Sequence, residues 1–148
     1  MLSNQITSLI TLIQNGGQSA PLLLSEGHVC EVSELLSERE VSHLDELREQ
    51  SIQDFLYYDC GNRADGNHKV KNIREHVEKL SQKPSGNILC AIFRNIEVLT
   101  DESANALLRL FEEVPEQVLI LLTSQSPQKI IPTLLSRILL IDGETSLR

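Results

Sequence analysis

The stretch Ile88-Leu89-Cys90-Ala91-Ile92-Phe93 is an unbroken apolar run with no charged side chain on either face. A half-buried strand alternates polar and apolar residues, whereas an unbroken run is typical of a strand buried on both faces of a parallel sheet. Similar short runs occur at four other places, from Ala20 to Leu24, Phe55 to Tyr58, Val118 to Leu122 and Ile138 to Ile141. Together they predict five strands of one sheet.

Helical patterns separate these runs. Thr100 is predicted to cap a helix that buries Ala104, Leu107, Leu108 and Phe111, and Asp101 and Glu102 in its first turn favour the helix dipole. The region 69–83 carries apolar residues at helical spacing, Val70, Ile73, Val77 and Leu80. Ser42 is predicted to cap a short helix, and Ser126-Pro127 to start another. Strands alternating with helices predict an α/β protein whose parallel sheet is covered on both faces.

Composition and charge exclude several classes of protein. The chain has 148 residues, 41% hydrophobic and 23% charged, which is typical of one globular domain over residues 1–148. Its net charge of −8 argues against binding nucleic acid by bulk charge. Residues 1–60 hold ten acids against two bases, a balance that a solvated acidic surface also explains.

The sequence also bears on location and on metal binding. It contains no apolar run near the roughly 20 residues that span a bilayer, and Met1 to Ile13 lacks the basic start of a secretion signal. The predicted location is therefore the cytoplasm, with no membrane partner. Cys30, Cys60 and Cys90 form no C-x-x-C pair, so the sequence predicts neither a disulfide framework nor a metal site. Each cysteine is interpreted as a small buried side chain.

The second half of the chain carries specific motifs. Lys71-Asn72-Ile73-Arg74-Glu75, the segment from Leu99 to Arg109, and Phe111-Glu112-Glu113-Val114-Pro115 occur in this order, followed by Ile131 to Arg137. This series resembles the bacterial clamp-loader ATPase family of DNA polymerase III. Within that family it is most similar to the delta-prime subunits and next to the gamma/tau subunits.

The resemblance implies an AAA+ fold of the P-loop NTPase type, with a five-stranded parallel sheet in the order 5-1-4-3-2 and helices on both faces. A phosphate-binding loop, G-x-x-x-x-G-K-[ST], should follow the first strand, since its glycines let N–H groups wrap the phosphates. The sequence here reads Ser25-Glu26-Gly27-His28, and no lysine occurs between Met1 and Asn67. The phosphate loop is therefore predicted to be degenerate.

The second nucleotide motif also departs from the family. The resemblance places Arg94 where the family has its metal-binding aspartate and Asn95 where it has the next acid. Arginine has the wrong sign for Mg²⁺, and asparagine cannot act as a base. The prediction is a chain that neither binds nor hydrolyses ATP, is no enzyme by itself, and uses no cofactor or metal. The zinc-binding cysteines of many relatives are absent as well.

The resemblance assigns a role in trans to Arg137. In the family, the arginine of the Ser-Arg-Cys motif reaches the γ-phosphate held by a neighbouring subunit, and Ser136-Arg137 occupies that position here, with Ile138 in place of the cysteine. A fixed guanidinium stabilises charge in the transition state. The alternative is an ordinary surface arginine. Thr123 and Ser124 stand at the family's sensor position and are expected to act only as strand-end hydrogen-bonding groups.

Basic residues cluster at the start of the predicted helix 69–83. Lys69, Lys71 and Arg74 are candidates to contact the backbone of primer-template DNA, because the family places this helix start towards its central channel. Contacts of this kind position a protein without reading sequence. The alternative is a solvated polar face.

The leading hypothesis is a nucleotide-free, delta-prime-like clamp-loader subunit in DNA replication. It would pack on a gamma/tau-like ATPase, contact delta, and offer Arg137 in trans. The alternative is a stand-alone degenerate AAA+ scaffold for protein interaction outside a loader ring. A small NTP-dependent enzyme with an unorthodox phosphate loop is a third hypothesis. The resemblance implies that residues 1–148 correspond to the AAA+ domain alone, and the family's lid and collar domains are expected to be absent from this chain.

Overall fold

The computed structural model describes residues 4–49 (with side chains through Leu47), 55–61, 75, 78–80 and 88–141. The described strands are β1 Leu22–Leu23, β2 Phe55–Asp59, β3 Leu89–Arg94, β4 Val118–Leu122 and β5 Leu139–Leu140. The described helices are α1 Asn4–Gln14, α2 Glu26–Ser37, α3 Asp45–Glu49, α4 Asp101–Glu112 and α5 Pro132–Leu135. Two 3-10 turns cover Ile96–Val98 and Pro127–Lys129.

The five strands form one parallel sheet in the order β2-β3-β4-β1-β5. Read from the other edge this is the predicted order, so the AAA+-type sheet is confirmed. β4 lies at the centre and all five of its residues are buried. β1 and β5 are shorter than their apolar runs, although the N–H of Leu24 still donates to the carbonyl of Leu122 at 3.0 Å.

Helices cover both faces of the sheet, as the unbroken apolar runs predict. On one face Ala91 and Phe93 pack in a core cluster with residues of α4 and α5. On the other face Cys90 and Ile92 pack in a second cluster with residues of α1, α2 and α3. Adjacent residues of β3 point to opposite faces, so every residue of its buried part meets a helical layer.

The cap predicted at Thr100 is confirmed, since its Oγ1 accepts a hydrogen bond from the N–H of Ser103 at 3.1 Å. The cap predicted at Ser42 is wrong: α3 begins at Asp45, and the N–H of Ser42 instead donates to the carboxylate of Glu46 at 3.2 Å. Residues 42–44 form bends and a turn, and the helix starts only after them.

The helix predicted to start at Ser126-Pro127 does start there, but as a short 3-10 turn rather than as an α-helix. A 3-10 turn covers Pro127–Lys129, and a separate four-residue helix begins at Pro132. The ring of Pro132 disfavours helical backbone at the preceding residue, and Ile131 is extended with φ −61° and ψ 140°. Leu108, predicted to be buried, is only partly buried against the core.

Most of the predicted helix 69–83 lies outside the described residues; Glu75 and residues 78–80 are helical, and Leu80 is buried. Across the part of the chain that is described, no helix has both the length and the apolar character needed to cross a membrane.

Candidate functional site

The connection between β1 and α2 lies at the carboxyl edge of the sheet, where parallel α/β folds bind their ligands. Only Leu24 and Ser25 separate the end of β1 from the start of α2 at Glu26. Ser25 caps the helix, with its Oγ accepting from the N–H of His28 at 3.2 Å and lying 3.0 Å from the ring Nδ1 of His28. The four residues predicted to form a degenerate phosphate loop are therefore a cap and a first helical turn.

Gly27 lies inside this first turn and approaches nothing closely. A Cβ placed on it would meet only the Oγ of Ser25, at 4.0 Å. In a phosphate loop, glycine is needed because the backbone approaches the ligand and leaves no room for a side chain. The surroundings of Gly27 do not require glycine in this way.

Arg94 ends β3 at the same edge of the sheet and binds acidic groups from several elements. Its Nε donates to Oε2 of Glu26 at 2.7 Å, and its Nη2 donates to Oε1 of Glu26 at 2.9 Å. Its Nη1 donates to Oδ1 of Asp45 at 2.6 Å and to the hydroxyl of Tyr57 at 3.2 Å. The carboxylate of Asp59 lies 3.9 Å from Nη1. The contact with Glu26 is the bidentate pairing that a guanidinium fork favours.

The ion pair between Arg94 and Glu26 crosses a strand. β3 and β1 are not neighbours in the sheet, because β4 lies between them. Two strand spacings amount to roughly 10 Å, a gap that only two long side chains can close. The Arg94 side chain is 17% exposed and that of Glu26 is 40% exposed. The pair thus lies over the carboxyl end of the central strand.

The groups around Arg94 keep its side chain in the charged form. Burial opposes the charged form, but hydrogen bonds to Glu26, Tyr57 and Asp45 outweigh it, and the pKa of Arg94 is raised above its ordinary value. A permanent cation at this position can hold carboxylates or phosphates, but it cannot ligate a metal ion. Within the described ranges, no group of His, Cys, Asp and Glu side chains is arranged to hold a metal.

Asn95, the second residue that departs from the nucleotide motif of the resemblance, adopts left-handed backbone with φ 60°. Its N–H donates to Oγ1 of Thr123 at 3.0 Å, and its Nδ2 donates to Oδ1 of Asp59 at 3.1 Å. The Oγ of Ser124 accepts from the N–H of Ser126 at 3.1 Å. Asn95, Thr123 and Ser124 therefore make structural hydrogen bonds at the ends of β3 and β4.

Arg137 lies at the amino edge of the sheet, opposite the edge that carries Arg94, and directly before β5. Its Nη1 donates to the carbonyl of Thr133 at 2.6 Å and to Oγ of Ser136 at 3.2 Å, and its Nη2 donates to Oε2 of Glu112 at 2.9 Å. The side chains of Arg137 and Glu112 are 34% and 51% exposed. An open depression beside them is lined by Ala20, Phe111, Ile138 and Leu139. The guanidinium is thus fixed in place and still reachable from solvent.

Three basic residues and three cysteines complete the set of residues singled out from the sequence. Lys69, Lys71 and Arg74 lie outside the described residues. The three cysteines are buried as thiols, as expected of small buried side chains. Burial raises the pKa of the Cys90 thiol, and burial together with the charges of Glu26 and Glu34 raises that of Cys30.

Sequence reasoning missed the residues that complete both clusters. Asp45, Tyr57 and Asp59 bind or face Arg94, yet only Asp59 carried a signal, because it directly follows a predicted strand. Glu112 stood out in the sequence only as part of the motif from Phe111 to Pro115, whereas it is the ionic partner of Arg137. No motif spacing marks these partners.

The strand order, the helices on both faces and the position of the β1–α2 connection define an AAA+-type module. A family model described as DNA polymerase III, delta subunit, matches residues 7–145. The chain therefore belongs to the DNA polymerase III delta subunit family of clamp-loader proteins.

Individual relatives agree with this family. The chain is 30% identical over 126 residues to DNA polymerase III subunit tau of Escherichia coli K12, covering 84% of this chain and 19% of that protein. It is 39% identical over 69 residues to DNA polymerase III subunit delta' of Yersinia pestis, covering 46% of this chain and 20% of that protein. The chain thus spans about a fifth of these relatives.

A solved structure shares the fold. A DNA polymerase III gamma subunit-related protein of Thermotoga maritima aligns with a TM-score of 0.69 at 22% identity, covering 94% of this chain and 45% of that chain. This likeness concerns the fold alone.

Proposed function

We propose that this chain is a clamp-loader subunit that binds no nucleotide of its own and offers Arg137 to ATP held by a neighbouring subunit. Its partners would be a gamma/tau-like ATPase and a delta subunit, in the cytoplasm, with residues 1–148 acting as one degenerate AAA+ module. Lys69, Lys71 and Arg74 would contact the backbone of primer-template DNA, a part of the proposal that rests on the sequence.

The bidentate ion pair between Glu26 and Arg94 carries the nucleotide-free part of the proposal. The pair lies over the carboxyl end of the central strand, at the edge of the sheet where a triphosphate would bind. A nucleotide would have to separate the two groups and place its phosphates beside the Glu26 carboxylate. The Glu26 carboxylate is within hydrogen-bond distance of the Arg94 guanidinium. It therefore fills the space, and pairs with the cation, that the phosphates would need.

The short β1–α2 connection supports the same conclusion. A phosphate cradle needs several consecutive N–H groups from a loop that precedes the helix. With helix α2 starting at Glu26 and capped by Ser25, the N–H of His28 is already bonded to the cap. Arg94 stands at the position that the resemblance assigns to a metal-binding aspartate, and its guanidinium repels Mg²⁺.

Calorimetric titration with Mg²⁺-ATP tests this part directly. The protein should give no binding heat up to millimolar nucleotide, whereas the gamma/tau-type ATPase of the same organism, as positive control, should bind. Micromolar affinity of this protein for ATP would contradict the proposal.

The accessible guanidinium of Arg137 supports the role in trans. It lies at the sheet edge opposite Arg94, so one molecule could bind a neighbour with this edge without involving its own blocked site. Removing an arginine that acts in this way typically lowers turnover by a large factor. In a complex with the gamma/tau-type ATPase, Arg137→Ala should lower ATP turnover roughly tenfold or more.

The control for this experiment is Arg39→Ala, a change at an exposed arginine between α2 and α3. Both variants should still co-elute with the ATPase on size exclusion. Unchanged turnover with Arg137→Ala would reject the role in trans, and lost complex formation in both would reject the assumed interface.

A further inference from the structure

The guanidinium of Arg137 is held by two kinds of partner. Its Nη1 contacts are local, to the carbonyl of Thr133 and the hydroxyl of Ser136 on the same turn. Its Nη2 contact is to Glu112, at the end of a different helix. The local contacts orient the group without changing its charge, whereas Glu112 neutralises it.

Glu112 occupies the part of the guanidinium that a phosphate would use. Carboxylate and phosphate oxygens bind the same N–H donors, and a guanidinium has five of them in a fixed fork. With Nη1 engaged by Thr133 and Ser136, the Nη2 and Nε donors are those left for a ligand, and Glu112 already accepts from Nη2 at 2.9 Å. A phosphate that approaches Arg137 therefore competes with Glu112 and is repelled by its charge.

We infer that Glu112 is a latch on Arg137, an internal counter-ion that keeps the guanidinium paired until the phosphates of a neighbour's ATP displace it. The inference rests on the proposed function of Arg137 in trans. Among the described residues, Glu112 is the acid that ion-pairs with Arg137. An open depression beside the pair gives the carboxylate room to move aside.

The exposure of the pair sets the strength of the latch. With half of the Glu112 side chain and a third of the Arg137 side chain in contact with water, solvent screens the attraction. Exposed pairs of this kind alter an equilibrium by a factor of about two to five. A triphosphate carries more charge than one carboxylate, so such a latch yields when the partner's ATP is in place.

The latch predicts a specific kinetic change. Because the paired state is not competent to engage phosphate, its population reduces the apparent affinity between this protein and the ATP-loaded partner. Glu112→Gln keeps the shape and removes the charge. It should lower the concentration of this protein that gives half-maximal stimulation of the partner's ATPase by about two- to five-fold. The maximal rate should stay the same, because the engaged state is unchanged.

The chain offers a matched control one residue away. Glu113 is also acidic and exposed and directly follows the same helix, but it does not pair with Arg137. Glu113→Gln should leave the half-maximal concentration unchanged. Equal thermal midpoints for both variants and the parent would show that the change is not one of folding.

A double variant separates this inference from the proposed function. In an Arg137→Ala background, Glu112→Gln should have no effect on the half-maximal concentration. If Arg137→Ala alone leaves turnover unchanged, the role in trans and the latch both fail. If Arg137→Ala lowers turnover but Glu112→Gln leaves the half-maximal concentration unchanged or raises it, the latch alone is overturned. An effect of Glu112→Gln that persists without Arg137 would also overturn the latch.

Discussion

Arg94 joins the ends of separate elements through one side chain, so its removal should cost stability. Arg94→Ala removes the guanidinium that binds Glu26 and Asp45 and that lies 3.9 Å from the carboxylate of Asp59, which is 10% exposed. Breaking a fully buried pair costs 3–5 kcal/mol, but Glu26 and Asp45 are exposed enough to regain water. We expect the free energy of unfolding in urea at pH 7 to fall by about 2 kcal/mol.

Two further variants give this measurement its scale. Arg39→Ala, at an exposed loop position, should change the free energy of unfolding by less than about 0.5 kcal/mol. Arg94→Lys keeps the charge but loses the bidentate fork, and should fall between Arg94→Ala and the parent. Equal stability of Arg94→Ala and the parent would mean that the ion pair does not hold the sheet edge together.

The buried thiol of Cys90 predicts how stability depends on pH. Cys90 is 0% exposed, and burial raises the pKa of its thiol in the folded protein. An unfolded thiol titrates near pH 8.5, so the contribution to stability is complete below that pH and is lost as pH rises towards the folded pKa. Between pH 7.5 and 9.5 the free energy of unfolding should fall by about 1.4 kcal/mol through this group.

Cys90→Ala isolates this contribution. The variant loses packing, which lowers its free energy of unfolding at pH 7.5, and its decline between the two pH values should be smaller by the amount given above. Urea unfolding of both proteins at each pH measures the difference. The same decline in both proteins would show that the thiol ionises as easily in the folded state as in the unfolded one.

The sequence marked Glu26 and Arg94 as departures from nucleotide motifs, but it did not predict that the two side chains form an ion pair. Glu26 and Arg94 are 68 residues apart, and each was interpreted by itself as a departure from a nucleotide motif. The strand order brings both to one edge of the sheet. Their contact depends in addition on side-chain length, since they must reach across β4, and a strand order alone does not give that distance.

At the scale of elements, the cap of α4 should contribute measurably to stability. Thr100→Ala removes the hydroxyl that accepts from the N–H of Ser103, itself a buried residue. Loss of a threonine cap costs about 1 kcal/mol. Urea unfolding should show this loss, whereas Ser8→Ala, at an exposed position inside α1, should leave stability within about 0.5 kcal/mol of the parent. Equal effects of the two changes would contradict a stabilising cap.

Strands were predictable in this chain because each is an unbroken apolar run, and β4 was predicted with its observed bounds. Short helices were not. The start of α3 at Asp45 rather than after Ser42 involves a hydrogen bond from the N–H of Ser42 to the carboxylate of Glu46. The break between the 3-10 turn and α5 depends on Pro132. Patterns of apolar residues carry no information about such local choices.

At the scale of the molecule, the parallel sheet separates two charged places. Arg94 is the last residue of β3 and Arg137 precedes the amino end of β5, so the two guanidinium groups lie at opposite edges. A resemblance between sequences could assign both arginines to their edges. It could not reveal Glu112 as the partner of Arg137, because that contact depends on where α4 ends relative to α5.

The architecture predicts that restoring charges will not restore nucleotide binding. Arg94→Asp places a carboxylate where the resemblance puts a metal-binding aspartate, and Glu26→Lys with Arg94→Asp also places a cation next to β1. Neither change lengthens the connection of Leu24 and Ser25 between β1 and α2, so no loop of N–H groups becomes available to wrap phosphates. With far-UV circular dichroism confirming that both variants are folded, Mg²⁺-ATP titration should again give no binding heat. Micromolar binding by either variant would mean that charge at the Glu26–Arg94 pair, rather than the missing loop, excludes the nucleotide.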